Sequence, residues 1–346
     1  MKKLAWFMVI LLLAGLVLSG CVSAEKKTVA GNVDRIMIYT SMYQDVIITV
    51  QNALNRYFPH SFIDFAYGGT GALQNRVAAE LAAGTLGCDM LMVGEPGYSL
   101  ELKENGLLHS YKSREIPSLA MDYDPDGYWY PVRISNMVLA YNPEKYSKNS
   151  LPHSFQDFAH DPQVTGAISM GNPLTSGTSM ASVTALRDKF GYSYFDALGK
   201  QGVVVESSAV AITKLEAGQY KMIMVLEESI LSERQLNKSK LEVIYPTDGV
   251  IMIPSTIMTI AERFSPNKNT KTAEAITDWF LNTEGQNAIV DGWMHSVRVN
   301  FLKHPYDSIS IDQIRPGSIP VNWDNYFRQR DEIRQRFEEY TTSRVF

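Results

Sequence analysis

The chain has 346 residues, a formal net charge of −5 and 20% charged residues, which argues against a nucleic-acid surface built on general basicity. Two cysteines exclude a disulfide framework and a CxxC metal site. The length suffices for two domains of ordinary size.

Lys2 and Lys3 precede an apolar run from Leu4 to Leu18 that closes on Leu18-Ser19-Gly20-Cys21, the pattern of an export signal over 1–20. The run is only about 15 residues long, short for a membrane span, which wants roughly 20. Cys21 after Leu-Ser-Gly resembles the bacterial lipobox, which implies lipidation of Cys21 with acyl chains such as palmitate. The exported chain would then be lipid-anchored to the cell membrane, facing the periplasm or cell exterior. Removing the leader takes two lysines with it and makes the remainder more acidic. Residues 21–32 are polar and aperiodic, as a flexible tether would be. If Cys21 carries lipid, Cys88 has no partner, and its apolar surroundings place it in the core.

From there strand and helix alternate. A strand over 35–39 leads through Thr40-Ser41 into a helix over 44–58, where Val46, Ile47, Val50 and Leu54 recur at helical spacing and Pro59 ends the run. A strand over 62–67 and the turn Gly68-Gly69-Thr70-Gly71 feed a helix over 72–83 that stops at Gly84, and 88–94 reads as a buried strand. Such alternation predicts a largely parallel sheet with helices on both faces. The apolar segment 137–143 reads as a strand leaving one domain for another, with a boundary near Asn142. The pattern then restarts: helix 154–159, strand 166–170, helix 180–190, helix 193–200, strand 203–206, helix 210–217, strand 221–226. Strands over 241–245 and 250–253 cross back, helices over 272–282 and 284–292 follow, and 324–340 reads as a charged, solvated helix. The expected division is a discontinuous lobe 1 over 33–141 and 254–346, and a lobe 2 over 142–253.

Three of the predicted strand-to-helix turns carry the same chemistry. Thr40 and Ser41 stand at the first, Gly69, Thr70 and Gly71 at the second, and Ser176, Gly177 and Thr178 at the third. A helix start leaves unpaired N–H groups and a partial positive charge that suit an anion. Hydroxyl residues also crowd helix starts simply as caps, but the threefold repetition favours one shared pocket. Acceptors stand at other strand ends: Glu206 and Ser207, Glu227 and Glu228, with Asp248 at the crossing as a further candidate. Alternation along a strand puts only one of Glu227 and Glu228 in the cleft. Arg133 has two readings side by side, an anion anchor or a brace for the hinge. Enzyme chemistry is disfavoured, because no Gly-x-Ser-x-Gly elbow occurs and adjacent glutamates diverge rather than flank a glycosidic bond.

The order of these pieces resembles the type 2 periplasmic solute-binding proteins of ABC importers, in the group that holds iron(III), thiamine, polyamine, phosphonate and hexose-phosphate binders. The resemblance rests on Tyr67-Gly68-Gly69-Thr70-Gly71 with Arg76 and Glu80, Cys88 to Val93, Ala140-Tyr141-Asn142-Pro143, Asn172-Pro173 with Ser176-Gly177-Thr178, Glu216-Ala217-Gly218-Gln219 and Tyr245-Pro246-Thr247-Asp248-Gly249. It implies an α/β fold of two lobes, each a mostly parallel sheet flanked by helices, joined by two crossover strands. It implies no catalysis, no cofactor and no resident metal. The partners it implies are a small anionic solute, an ABC permease of the inner membrane and the membrane itself through the lipid, for a monomeric receptor that binds no nucleic acid. Iron-binding relatives place adjacent tyrosines after the strand that here covers 221–226, whereas this chain has Leu226-Glu227-Glu228-Ser229 and no adjacent tyrosine pair anywhere. Neutral donors on one wall and carboxylates on the other make a sugar phosphate such as hexose 6-phosphate the first expectation. Ferric iron comes next, then polyamine or phosphonate.

Overall fold

The structure, a computed structural model, describes residues 34–342; the leader, Cys21 and the whole of the 21–32 tether lie outside the described residues. The chain begins β1 (Asp34–Thr40), α1 (Gln44–Tyr57), β2 (Ser61–Tyr67), α2 (Thr70–Ala82), β3 (Met90–Val93) and α3 (Gly97–Glu104). A thirteen-residue strand, β4 (Trp129–Tyr141), leads to α4 (Phe155–His160), β5 (Ile168–Gly171), α5 (Gly177–Phe190), α6 (Ser193–Lys200), β6 (Val204–Glu206), α7 (Ser208–Glu216) and β7 (Met222–Leu226). After α8 (Glu227–Leu236) and β8 (Glu242–Ile244) the strand β9 (Ile251–Thr259) returns, followed by α9 (Thr270–Leu281), α10 (Thr283–Asp291), α11 (Ile311–Ile314) and α12 (Trp323–Thr342).

Two parallel groups, β2-β1-β3 and β7-β5-β6, form the halves of the molecule. They are not separate sheets. The antiparallel pair β4 and β9 runs between them, β9 pairing with β3 on one side and β4 with β7 and β8 on the other, so one sheet is continuous through both halves. The register of β4 against β9 slips between Pro131 and Arg133, where proline has no N–H to give to the ladder.

Each half has its own core. Ile36, Ile38, Val50 and Leu54 pack with Trp279 and Phe280 of α9 in the first, and Phe155, Phe158, Ile168, Leu186 and Phe195 pack in the second. Glu80 fastens α2 to the first half by accepting from the Tyr39 hydroxyl and the Gly87 N–H, both at 2.8 Å. Cys88 is buried and unpaired.

Several elements differ from expectation. Glu227 and Glu228 do not continue β7 but open α8. α12 is more than a solvated helix: Tyr326, Ile333 and Phe337 form a buried stripe, and Phe337 meets Phe195 edge-on at 5.3 Å. It lies on α5 and α6 and also reaches α3, where Arg330 bonds Glu101 at 3.1 Å. Among the described residues no helix is long and apolar enough to cross a membrane.

Candidate functional site

Parallel strands deliver their carboxyl ends to the same edge of a sheet, and the helices that follow begin there. Five helix starts accordingly surround one cavity of about 320 Å³. Ser41 and Tyr43 come from the start of α1, Gly69 and Thr70 from α2, Ser176, Gly177 and Thr178 from α5, Ser207 and Ser208 from α7, and Leu226 and Glu228 from α8. Gly94 at the end of β3 and Arg133 on β4 complete the floor.

The α2 and α5 turns come from opposite halves and touch. The Gly71 N–H donates to the Thr175 carbonyl at 3.2 Å, and a Cβ on Gly69 would lie only 2.7 Å from that same oxygen. A Cβ on Gly71 would stand 2.6 Å from the Leu174 carbonyl oxygen, and one on Gly177 would stand 2.8 Å from the Thr70 hydroxyl. Glycine is needed here for close backbone approach rather than for unusual torsions. The Thr70 hydroxyl accepts from the Gly94 N–H at 3.1 Å, which ties α2 to the end of β3. Ser176 caps α5 by accepting from the Ser179 N–H at 3.2 Å. Capping does not exhaust the donors, because among the described residues the N–H groups of Gly69, Thr70, Gly177 and Thr178 meet no protein acceptor. Two helix starts with free donors thus face the same space.

The carboxylates behave differently from one another. Glu228 is buried in the cavity wall and accepts from the Ser135 hydroxyl at 2.8 Å. Burial pushes its carboxyl above the usual range, with Arg133 pulling the other way. Glu206 also faces the cavity, but Lys214 pairs with it at 2.6 Å and the Tyr220 hydroxyl donates at 2.7 Å. Glu227 points away. It accepts from Asn136 at 2.7 Å and Tyr245 at 2.5 Å, faces His295 Nε2 at 2.9 Å, and also receives the Ser308 hydroxyl. Burial alone would raise its carboxyl, yet these partners, His295 first, hold it below the usual range.

Of the twelve residues singled out from sequence as ligand-binding, Ser41, Gly69, Thr70, Ser176, Gly177, Thr178, Glu206, Ser207 and Glu228 line this one cavity. Three do not. Thr40 is buried and caps the next turn by accepting from the Met42 N–H, Gly71 spends its N–H on Thr175, and Glu227 belongs to the buried network behind the wall. Asp248 is likewise elsewhere, accepting from the N–H groups of Phe155 and Gln156 at 3.0 Å to start α4. Tyr43 and Ser208 line the cavity and are missed by the sequence reading, while Tyr67 and Asn172, which belong to motifs noted there without a binding role of their own, line it too. Tyr43 and Asn172 stand beside turns that had been singled out, so proximity to those turns was the available signal. Arg133 is buried and lines the cavity floor. Among the described residues no group of three His, Cys, Asp or Glu side chains is placed to hold a metal ion.

The sequence model of the family described as bacterial extracellular solute-binding protein matches residues 88–307. A comparison with curated protein sequences finds no match. Among solved structures, AfuA from Actinobacillus pleuropneumoniae, a periplasmic binding protein with exogenous fructose-6-phosphate bound, superimposes with a TM-score of 0.77 at 18% identity, covering 90% of this chain and 99% of that one. Iron-bound HitA from Pseudomonas aeruginosa gives 0.75 at 18% identity, covering 89% and 99%. A periplasmic thiamin binding protein gives 0.74 at 14% identity, covering 89% and 96%. At these identities the likeness shows the fold: an α/β, two-lobed periplasmic-binding-protein architecture.

Proposed function

This chain belongs to the bacterial extracellular solute-binding proteins, and from that premise we propose that its cavity captures a small phosphorylated solute, hexose 6-phosphate in the first instance. As a member of that family it serves an ABC transporter outside the cytoplasm, binding its solute rather than converting it. The observation that carries the phosphate reading is the pair of facing helix starts, α2 and α5, with four backbone N–H groups that meet no acceptor among the described residues. Uncharged donors at a helix N-terminus suit a phosphate group without a buried counter-ion. Glu228, which lines the same cavity, offers an acceptor for a sugar hydroxyl, and charge-assisted bonds of this kind contribute about 1.5–3 kcal/mol each. The cavity volume is at the small end of the range for small-molecule sites.

In this reading the lobes are 33–141 with 254–346 and 142–253, hinged on β4 and β9, and Cys21 carries the lipid that holds a monomeric receptor beside its permease. Ferric iron is the second reading, favoured by one feature: the phenols of Tyr43 and Tyr67 share the cavity with Glu206 and Glu228, a set of hard oxygen donors. Burial raises the Tyr43 phenol, with Glu228 adding to the effect, which works against a phenolate there.

A thermal-shift panel tests the proposal, since a ligand in excess stabilises by RT ln(1 + [L]/Kd). Glucose 6-phosphate and fructose 6-phosphate should raise Tm well above free glucose, spermidine or ferric citrate. A rise confined to ferric citrate would transfer the assignment to iron.

A further inference from the structure

Arg133 is 3% exposed, and its guanidinium lines the cavity floor without an adequate partner. Nη1 lies 2.8 Å from the Met294 sulfur, a weak acceptor, and Nη2 reaches the Ser41 hydroxyl only at 3.5 Å. Nε is buried with no acceptor at all. A buried cation so poorly satisfied is costly, and proteins rarely keep one unless something else completes it. Glu228 and Tyr43 are the acidic groups that face it. Glu228 lines the same cavity, yet among the described residues no carboxylate forms an ion pair with Arg133, and Glu228 turns one oxygen to the Ser135 hydroxyl instead. A donor fork and an acceptor thus flank one space without closing on each other.

We propose that Arg133 and Glu228 form a split reader for a ligand hydroxyl, and that Arg133 is the residue that makes the cavity select a polyol phosphate. A hydroxyl is the group that fits between them, because its oxygen can accept from the guanidinium while its hydrogen is donated to the carboxylate. A ligand carboxylate would satisfy Arg133 but repel Glu228, and an ammonium would do the reverse. Neither charged group suits both. The phosphate stays with the N–H groups of α2 and α5, so the two ends of the ligand are read by different chemistry. This inference rests on the phosphate reading above and adds the identity of the group at the other end.

Calorimetric titration separates the two ideas. Probes are glucose 6-phosphate, its monodeoxy analogues, 3-phosphoglycerate, phosphoethanolamine and inorganic phosphate, applied to the native chain, Arg133→Met, Arg133→Lys and Glu228→Gln. Glucose 6-phosphate should bind more tightly than either charged ester. Arg133→Met and Glu228→Gln should each weaken it by about tenfold to a hundredfold, and by clearly more than either weakens inorganic phosphate. One monodeoxy analogue should show the same loss on the native chain and no further loss on Arg133→Met, and Arg133→Lys should recover only part of the affinity, lacking the fork. Retained binding of inorganic phosphate certifies that a variant is folded. Undiminished glucose 6-phosphate affinity in Arg133→Met, an equal loss for inorganic phosphate, or preference for 3-phosphoglycerate would each overturn the split reader while leaving the phosphate reading standing. A native chain that binds none of these phosphates overturns both.

Discussion

The contact between the α2 and α5 turns sets how closely these two helix starts can approach, and Gly71 is its tightest point. Replacing Gly71 by alanine would place a methyl carbon 2.6 Å from the Leu174 carbonyl oxygen and 3.2 Å from the Thr175 Cα. Ordinary contact of carbon with oxygen begins near 3.4 Å, so the turns must separate by close to an ångström. That separation stretches the Gly71 N–H bond to Thr175 from 3.2 Å beyond hydrogen-bonding range. Loss of one such bond costs about 0.5–1.5 kcal/mol, and overpacking a close contact costs roughly 1–3 kcal/mol. Because the strain falls on the state in which both turns grip one ligand, the expectation is roughly a tenfold or greater loss of glucose 6-phosphate affinity by calorimetry. If the halves part on ligand release, as the proposed hinge on β4 and β9 requires, the chain without ligand should keep its Tm to within a few degrees. Native affinity in Gly71→Ala would refute the idea that the ligand is held between these turns.

Three further outcomes follow from the buried groups. Glu227→Ala strands His295 and three other donors behind the cavity wall and should cost roughly 3–5 kcal/mol of stability by chemical denaturation, whereas Glu228→Gln should affect chiefly binding. Burial pushes the Glu95 carboxyl up from 4.5 to about 7, and its Oε1 has no partner. A carboxyl raised in the folded state favours folding below the unfolded value and loses that advantage as pH climbs through the folded one. Glu95→Gln should therefore match the native chain near pH 4.5 and exceed it above pH 7, by at most about 3 kcal/mol, and an advantage that failed to grow across this window would refute the assignment. Phe337→Ala removes the ring that meets Phe195 and should destabilise by about 3–5 kcal/mol; a loss under about 1 kcal/mol would mean that α12 is a dispensable appendage.

The turns that build the cavity were legible because their demands are local. A helix start needs capping hydroxyls and open N–H groups, and a close approach of backbones needs glycine, so Ser41, Gly69, Thr70, Ser176 and Gly177 stand out without any knowledge of their neighbours. Arg133 stands out only with two readings left open, anion anchor or hinge brace, because its strand is buried on both faces and carries no alternation to say which way a side chain points. The same lack of alternation concealed the full length of β4, of which only the latter part was expected. Glu227 and Glu228 were read as strand residues although two acidic residues after a strand are also what a first helical turn favours. One of them still ends in the cavity, but through the geometry of a helix start rather than the alternation of a strand. In α12, charges surround Tyr326, Ile333 and Phe337 so densely that a narrow buried stripe reads as a solvated surface.

The most direct test is a crystal structure with glucose 6-phosphate bound. The expected result places phosphate oxygens within about 3 Å of the N–H groups of Thr70 and Gly177, with a sugar hydroxyl between Arg133 and Glu228. A phosphate seated elsewhere, with those N–H groups turned to water, would contradict the claim that two facing helix starts make this cavity a phosphate site.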